Sequence, residues 1–404
     1  MPPVDSTCAA SKNIITIESA AGRTVASRIG FSFPLRIQMP KHRSDGDDPN
    51  ECLWAYLLNF GGGLLQGDYI DLEVKVGPGC SLVLASQGST KIFKTNRAGY
   101  GDDCLANSLA GADGASGGGR VAPAMATQVL RCVVEQGALL AVMPQPLTCF
   151  AGARYAQRQC FDLAGDGSSS LLLVDWVTSG RMARGEEWAF KELSSCNQVR
   201  IGGRLVFLDA LMLANEDRNS DSADSLEEKA SSSSSTPTGL TVKQRMGSCV
   251  VFGFVLMVGP ALEAAAHRVR ESSMKRAVFT EHHSQSAHSS KVANNSAAAS
   301  SSNSEGGQQH AKRQRFDDSS NEERKEGQSS SPLVLSSLCS ASDIWVMGGD
   351  ENTRRTALAG GGGSAGMILR FAAETTEEAH NTLLDVLAPL RNRLGRLPFG
   401  PVAV

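Results

Sequence analysis

Two short polar clusters hold the side chains of this sequence that are best suited to chemistry, and the first joins a glycine-rich turn to an acid. Its glycines are Gly61, Gly62, Gly63 and Gly67, and the acid is Asp68. The stretch matches neither the Walker loop, which ends in Gly-Lys-Ser/Thr, nor the Rossmann G-x-G-x-x-G motif, which opens a helix. A strand pattern follows the glycines, so no helix N-terminus would face an anion. We therefore expect a β-turn or bulge with positive φ, and an Asp68 carboxylate that faces a groove or caps the turn.

Lys91 is the cation of the first cluster and follows Ser89 and Thr90 on a predicted strand. A lysine at this point is either a buried ammonium paired with Asp68 or Glu186, or a solvated strand residue. We favour the solvated position, because lysine is rarely buried.

The second cluster is made of alternating acids and bases. Asp175 lies within an apolar run, and Arg181, Arg184 and Glu186 follow it closely. Buried charges at such spacing usually need each other, so the four side chains are expected to form an internal ion-pair network.

Histidine chemistry is poorly placed for either cluster. All seven histidines lie outside both clusters, which argues against a general-base mechanism. Glu281, His282, His283 and His288 have side chains suited to nickel or zinc, but they lie in a Ser/Asn-rich segment, so we interpret them as a consequence of composition. We interpret His380, on a predicted helix, as a surface or core residue.

The elements that position these residues are mostly strands. From Ile70 to Val76 apolar and polar residues alternate strictly, which indicates a strand with one buried face. Strands are also predicted over residues 27–39, where the alternation is equally clean, 128–134, 138–143, 154–163, 170–178, 197–201, 204–213, 246–258, 343–347 and 367–371. The second and third of these are expected to form a hairpin through Gln136-Gly137. The strand over 170–178 is apolar enough to be buried on both faces.

Helical periodicity is confined to two late stretches, residues 260–278 and 373–394. In the second, acids lie near the start and arginines near the end, which complements the helix dipole. Pro389 is expected to kink or end that helix. The fold class expected is therefore mainly β and rich in antiparallel pairs, as a large solenoid-like or sandwich-like single domain with two late α-helices.

Composition divides the chain. Residues 98–122 are Gly/Ala-rich, 215–239 Ser/Asp/Glu-rich and 280–332 Ser/Asn/Gln-rich; they lack the apolar spacing of a core and are expected to be inserts within one domain that spans 25–399. Residues 1–24 are expected to be a loose N-terminus, and 400–404 a tail.

Charge and cysteine usage set the surroundings that we expect. The net charge of −3 gives no reason to expect a nucleic-acid or membrane partner. The ten cysteines include no CxxC pair, and residues 1–12 have no apolar signal-peptide core. We expect a soluble protein in the reducing cytoplasm.

Several ordered motifs resemble one known family. NFGGGLLQGD with SQGSTKIFK, then MPQPLTCFAGARYAQ, then VDWVTSGRMARGEEWAF resemble the urease accessory protein UreD (UreH in some bacteria). Phe60 before the glycines and Gly88-Ser89-Thr90 resemble its eukaryotic branch more than the bacterial one.

This resemblance implies a non-enzymatic scaffold with a mainly β, solenoid-like fold and two helices. It implies binding to the urease apoprotein and to an all-helical UreF-type accessory protein, which recruits a UreG-type GTPase. Together they would deliver nickel to the bimetallic site of urease, with Ni²⁺ passing transiently and no tightly bound cofactor. Asp68 and Glu186 would line or gate a nickel passage, because carboxylates bind a hydrated divalent cation. Lys91, Asp175, Arg181 and Arg184 would be the supporting polar network.

Two other functions remain open from the residues alone. One is a nucleotide-using enzyme built on the glycine turn. The other is a β-rich protein-interaction module without a metal role.

Overall fold

The structure is a computed structural model that describes residues 13–40, 52–94, 125–215, 240–271, 338–344 and 366–395. The three predicted inserts, apart from Asn215, and the histidines of 282–288 lie outside the described residues. The strands are β1 (Asn13–Ala20), β2 (Arg23–Gly30), β3 (Leu35–Gln38), β4 (Leu53–Asn59), β5 (Gly63–Leu64), β6 (Tyr69–Val76), β7 (Ser81–Ser86), β8 (Thr90–Ile92), β9 (Ala126–Val134), β10 (Leu139–Met143), β11 (Leu147–Cys149), β12 (Arg154–Leu163), β13 (Ser170–Thr178), β14 (Glu192–Ile201), β15 (Arg204–Ala214), β16 (Val251–Val258), β17 (Leu338–Ile344) and β18 (Gly366–Ala373). The helices are α1 (Val242–Met246), α2 (263–271), α3 (Thr376–Leu387) and α4 (Arg391–Leu394).

The strands form two sheets. The first has seven strands in the order β15-β14-β12-β9-β6-β1-β2. The second has the order β17-β18-β16-β13-β10-β7-β4-β3, and the short strands β5, β8 and β11 attach to it beside β13. From β6 to β13 the chain passes repeatedly from the first sheet to the second and back. In this part of the chain the strands β6, β7, β9, β10, β12 and β13 therefore alternate between the two sheets.

Alternating burial along these strands produces two cores. One lies between the sheets and includes Ile15, Leu72, Leu84 and Phe161. The other lies between the second sheet and the helices. β13 contributes to both cores, since Leu171 and Leu173 belong to the first and Leu172 and Val174 to the second. This confirms the prediction that the strand over 170–178 is buried on both faces.

Parallel pairing gives the two ends of the stack different connections. The passages from the first sheet to the second are tight turns, at residues 77–80, 135–138 and 164–169. The passages back from the second sheet to the first are longer and lie at the opposite end, which we call the long-connection end. Its connections are residues 60–68, 144–153, 179–191 and the described part of 87–125, which is 87–94 and 125. Both polar clusters found in the sequence lie mainly in these connections.

The mainly β class is confirmed, but the expected antiparallel richness is wrong. Most pairs are parallel, among them β6–β9, β9–β12, β12–β14, β7–β10 and β10–β13. The predicted hairpin through Gln136-Gly137 is also wrong, because β9 belongs to the first sheet and β10 to the second. A tight glycine turn joins strands within a sheet or between sheets equally well, and sequence periodicity does not distinguish the two cases.

Several predicted boundaries also change. Residues 13–24, expected to be loose, form β1 and the start of β2, and the strand expected over 27–39 is broken between β2 and β3. The strand expected from residue 246 begins at Val251, because a capping box between Thr241 and Gln244 starts α1 just before it. Of the strand expected at 343–347, the described part belongs to β17, which begins at Leu338.

Both predicted helices are confirmed where the chain is described. A 3-10 turn at Pro260–Leu262 leads into α2. In the second, the Thr375 side chain accepts a hydrogen bond from the Glu378 N–H and caps α3. Pro389 changes the helix to a 3-10 turn, Ala388–Leu390, before α4. Within the described part of the chain, no helix is long and apolar enough to cross a membrane.

We predict that Trp54→Phe loosens the C-terminal helices. Trp54 Nε1 donates to the buried Leu394 carbonyl at 2.9 Å, and its removal leaves that carbonyl without this partner at a cost of about 1 kcal/mol. Hydrogen exchange should speed up in α3 and α4. Trp188→Phe is the matched control, because Trp188 Nε1 donates to the Cys249 carbonyl at 3.0 Å in the other core. Equal exchange in these helices for both variants would contradict the prediction.

Candidate functional site

Asp68 caps the turn that precedes β6. Its Oδ2 accepts a hydrogen bond from the Leu65 N–H at 2.7 Å, and its own N–H donates to the Leu65 carbonyl at 3.0 Å. Its carbonyl accepts from the Thr127 N–H at 2.8 Å, at the start of β9. Of the two roles predicted from sequence, the structure shows turn capping. The residue is half-buried at the long-connection end.

The glycines before Asp68 meet two different structural requirements, a positive φ and a close backbone contact. Gly61, Gly62 and Gly67 have φ of 76°, 77° and 90°, which confirms the predicted positive φ. Gly63 has φ 173°, so its backbone is extended and the prediction is wrong for this residue. A Cβ on Gly63 would lie 2.2 Å from the Lys91 carbonyl oxygen and 2.5 Å from the Phe93 ring. Close packing of β5 against β8 therefore requires glycine there.

Lys91 is a solvated strand residue, as favoured from sequence. It lies on β8 opposite Gly63 of β5 and Thr148 of β11, and its side chain is exposed. Within the described residues no ion pair joins it to Asp68 or Glu186, so the buried-ammonium alternative is wrong.

Glu186 and Arg181 form an ion pair at the long-connection end. Arg181 Nε donates to Glu186 Oε2 at 2.8 Å, Arg181 Nη2 bonds to Oε1, and the Ala151 N–H also donates to Oε2, at 3.2 Å. The hydrogen bonds from Arg181, and then that from Ala151, hold the pKa of Glu186 below its usual value. The guanidinium lies over the Phe150 ring, 4.1 Å from its centroid. The pair thus fastens residues 180–186 to the connection before β12.

The predicted four-residue network is only partly formed. Arg184 is exposed and acts on Glu186 through its charge alone. Asp175 lies elsewhere, on the face of β13 that points at the first sheet. Gly180 has a positive φ of 131°, and a Cβ at this residue would lie 2.7 Å from the Glu186 carbonyl oxygen. Glycine therefore allows the chain to turn past that carbonyl.

Asp175 is the centre of a separate polar network between the sheets. Its Oδ2 accepts from Gln157 Nε2 at 2.8 Å, from Asn197 Nδ2 at 2.9 Å and from Ser195 Oγ at 3.2 Å. Burial raises the pKa of Asp175, and these three hydrogen bonds act against that rise. Tyr155 extends the network, since its hydroxyl lies 3.3 Å from Gln157 Oε1.

Sequence reasoning missed the three partners of Asp175. The signal was present in the period-2 pattern, because Gln157, Ser195 and Asn197 occupy inward positions of β12 and β14. Polar residues at such positions need an inter-sheet partner, and the isolated Asp175 in an apolar strand is that partner. Asn197 Oδ1 is buried and has no hydrogen-bond partner in the described structure.

A pocket of about 340 Å³ lies at the same end, between β11, β13 and the start of α3. Its polar lining includes Gln145, Thr148, Thr178 and His380. His380 Nε2 lies 3.4 Å from Gln145 Oε1, and its ring meets Trp176 edge to face at 5.0 Å. Burial lowers the pKa of His380. The pocket therefore presents uncharged polar groups.

The long-connection end brings together Asp68, Lys91, Arg181 and Glu186, but not as one contact cluster. Asp68 lies before β6 and Glu186 contacts the connection before β12, and β9 lies between these strands. β6 and β12 are therefore two strand spacings apart, which is about 10 Å. No group of three or more His, Cys, Asp or Glu among the described residues could hold a metal ion.

Comparisons with known proteins point to one family. The sequence profile described as UreD urease accessory protein matches residues 11–306. Urease accessory protein D of Arabidopsis thaliana is 34% identical over 200 residues, which are 49% of this chain and 58% of the relative. The protein of that name from Oryza sativa subsp. indica is 31% identical over 267 residues, 66% of this chain and 71% of the relative. Urease accessory protein UreD of Sorangium cellulosum is 36% identical over 193 residues, 48% of this chain and 51% of the relative. The chain thus spans from about half to about seven tenths of these relatives.

We predict that Gly63→Ala destabilises the protein by about 1–3 kcal/mol, because its methyl group would overlap the Lys91 backbone. Gly88→Ala is the matched control, since a Cβ there meets nothing within 4 Å. Urea denaturation measures both variants. Equal stability of the two would show that β5 can move away from β8 at no cost.

We predict a pH-dependent difference in stability between the wild type and Asp175→Asn. Because the folded-state pKa of Asp175 is raised, the folded protein binds this proton more tightly than the unfolded chain does. The ionised carboxylate therefore costs stability above the raised pKa. The wild type gains stability relative to Asp175→Asn as pH falls through that pKa, and the gain is complete below the ordinary value of 3.8. Urea denaturation over a pH series measures it, and a difference independent of pH would refute it.

Proposed function

The chain belongs to the UreD urease accessory protein family, and from this membership we propose that it is a urease maturation scaffold that assists nickel delivery. The observation that carries the proposal is the family match over residues 11–306, which include the glycine turn, both polar clusters and most strands of the two sheets. Relatives named as urease accessory proteins occur in plants, bacteria and a fungus, Cryptococcus neoformans.

The proposed partners are the urease apoprotein, a helical UreF-type accessory protein and, through it, a UreG-type GTPase. Nickel is the cargo of this complex and not a resident cofactor of the chain, and the proposed compartment is the cytoplasm. The chain passes repeatedly between two sheets in which most strand pairs are parallel, and this supports the solenoid-like description. The connections and the edge strands of such a stack lie on different sides and can contact several partners at once.

A scaffold role without catalysis agrees with the electrostatics of the long-connection end. A general acid at neutral pH needs a carboxyl group whose pKa is raised. The pKa of Glu186 is instead lowered by Arg181. The carboxyl group with a raised pKa, Asp175, lies between the sheets, where its oxygen is committed to three side chains.

We propose that Asp68 and Glu186 handle the passing nickel ion at the long-connection end. Carboxylate oxygens bind a hydrated divalent cation without the tight hold of a thiolate site. Asp68 uses Oδ2 for the Leu65 N–H, while both oxygens of Glu186 face Arg181. A cation at Glu186 therefore has to displace the guanidinium, so Asp68 is the easier of the two to reach. Lys91, Asp175, Arg181 and Arg184 belong to the surrounding polar framework in this proposal.

One observation favours the alternative of an interaction module without a metal role. Asp68 and Glu186 each have a structural task, the first as a turn cap and the second as a loop fastener. In the metal role the negative charge of these carboxylates binds the cation, whereas an interaction module does not need it for that purpose. The test therefore removes the charge and keeps the shape of both side chains.

The test is urease activation in a host that lacks its own version of this protein, with nickel limiting. The wild-type chain should restore urease activity, and Asp68→Asn with Glu186→Gln should lower the rate several-fold, because amides retain acceptor oxygens but bind cations weakly. Glu73→Ala, which removes an exposed carboxylate on β6, is the control and should activate normally. Thermal unfolding and co-purification check that the variants fold and bind.

Three outcomes separate the hypotheses. Failure of the wild-type chain to restore activity would argue against the maturation function. Restoration by the wild type and equally by the double variant would remove the metal role of the two carboxylates and favour the interaction module. A loss that tracks a fall in melting temperature would assign them to structure.

A further inference from the structure

An apolar groove opens along one side of the two-sheet stack. β2 is the last strand of the first sheet and β3 the last strand of the second, on the same side of the stack. Between these two edges and at their end lie four side chains, which we call the lateral groove. They are Ile29, Phe31, Phe33 and Phe60, exposed by 43%, 44%, 73% and 46%. Apolar side chains so exposed and so close together mark an interaction surface.

The groove is a continuation of the inter-sheet core. Ile29 lies opposite Ile15 on β1, and Ile15 is fully buried in that core, so Ile29 points between the sheets. Phe31 directly follows the last residue of β2, Gly30, and is also exposed. Phe33 and Phe60 stack with ring centroids 5.9 Å apart, and the Phe60 N–H donates to the Pro34 carbonyl at 3.0 Å. The aromatic end of the groove is therefore held in place by the backbone.

Arginines flank the groove on both outer faces. Arg28 lies opposite Thr16 on the outward face of β2. Arg36 lies between the buried Leu35 and Ile37 and so points outward from β3. Both are exposed, and residues 21–40 contain arginines but no Asp or Glu. The groove is therefore apolar along its floor and positive along both rims.

We infer that the lateral groove binds an amphipathic helix of a partner protein, with an apolar stripe that carries carboxylates along both sides. The exposed apolar side chains form a strip between basic residues, and an amphipathic helix presents the complement, an apolar stripe with charged residues beside it. The inference rests on the proposed function in one respect, since that function supplies the partners to test.

The edge strand on the opposite side of the first sheet, β15, also exposes apolar side chains but differs in charge. Leu205, Leu208 and Met212 of β15 are also exposed, by 48%, 54% and 65%. No residue of that edge other than Arg204 is basic, and Asp209 lies among them. This edge offers a similar apolar area without the positive rims, which makes it a matched control.

The first test uses peptides that need no knowledge of the partner. A synthetic helical peptide with leucines along one stripe and glutamates on both flanks is titrated into the full chain, beside the same peptide with lysines for glutamates. The glutamate peptide should bind about tenfold or more tightly than the lysine peptide. Phe31→Ser with Phe33→Ser should abolish the difference, and Arg28→Glu with Arg36→Glu should reverse it. Leu208→Ser with Met212→Ser should change nothing.

The second test uses the proposed partners, urease apoprotein and the helical accessory protein. Co-purification with at least one of them should fall about tenfold or more for the two groove variants and stay at the wild-type level for the β15 variant. If the wild-type chain binds neither protein, the proposed function fails and the peptide titration still decides the inference. If the wild type binds and all variants bind equally, or the peptides bind alike, the inference is wrong. A wild-type dimer that Phe33→Ser dissociates would assign the groove to a second copy of this chain and overturn it.

Discussion

Parallel pairing of strands that alternate between two sheets determines where everything else in this structure lies. Since β6, β9, β12 and β14 run in one direction, every return from the second sheet arrives at the same end. The tight turns occupy the other end, where the Gly79 N–H donates to the Gln136 carbonyl and joins successive turns. The long connections, which hold most of both polar clusters, are thereby confined to one end. The ladder β5–β8–β11–β13 braces that end, and its closest approach leaves room only for glycine at position 63.

The hydrogen-bond network around Asp175 is an exception in a mostly apolar inter-sheet core, and burying its carboxylate costs free energy. A buried carboxylate is tolerated only when hydrogen bonds replace its water, and three donors from β12 and β14 converge on it here. These donors come from the opposite sheet, so the network fixes the register of the two sheets in a way that interchangeable Leu and Val contacts do not. The same network separates Asp175 from Arg181 and Arg184. Closeness in sequence had grouped these residues, but β13 ends between them and turns them to different parts of the molecule.

The sequence predicted local features well and long-range ones poorly, for physical reasons. Period-2 alternation located Ile70–Val76, a continuous apolar run located the doubly buried strand over 170–178, and Pro389 located the change of helix type. Strand direction was not predictable, because periodicity reports which face is buried and not which strand lies beside it. The candidate site shows the same difference between local and long-range features. The Asp68 turn and the Arg181–Glu186 pair are local, whereas the partners of Asp175 come from strands paired across the sheets. The role of Gly63 was wrong because packing, and not its φ, selects glycine there.

A stack of two sheets has two open sides, and this protein closes them differently. On one side Arg370 of β18 donates to Asp209 of β15 at 2.6 Å, so an ion pair joins the edge strand of the first sheet to the second sheet. On the other side residues 21–40 contain no acid, so β2 and β3 cannot pair with each other in this way. That side keeps Phe31 and Phe33 exposed instead. Exposed apolar edges promote aggregation unless something protects them. The arginines on both rims repel a second basic edge and attract an acidic one, so they protect the groove from its own copies while leaving it available to a partner of opposite charge.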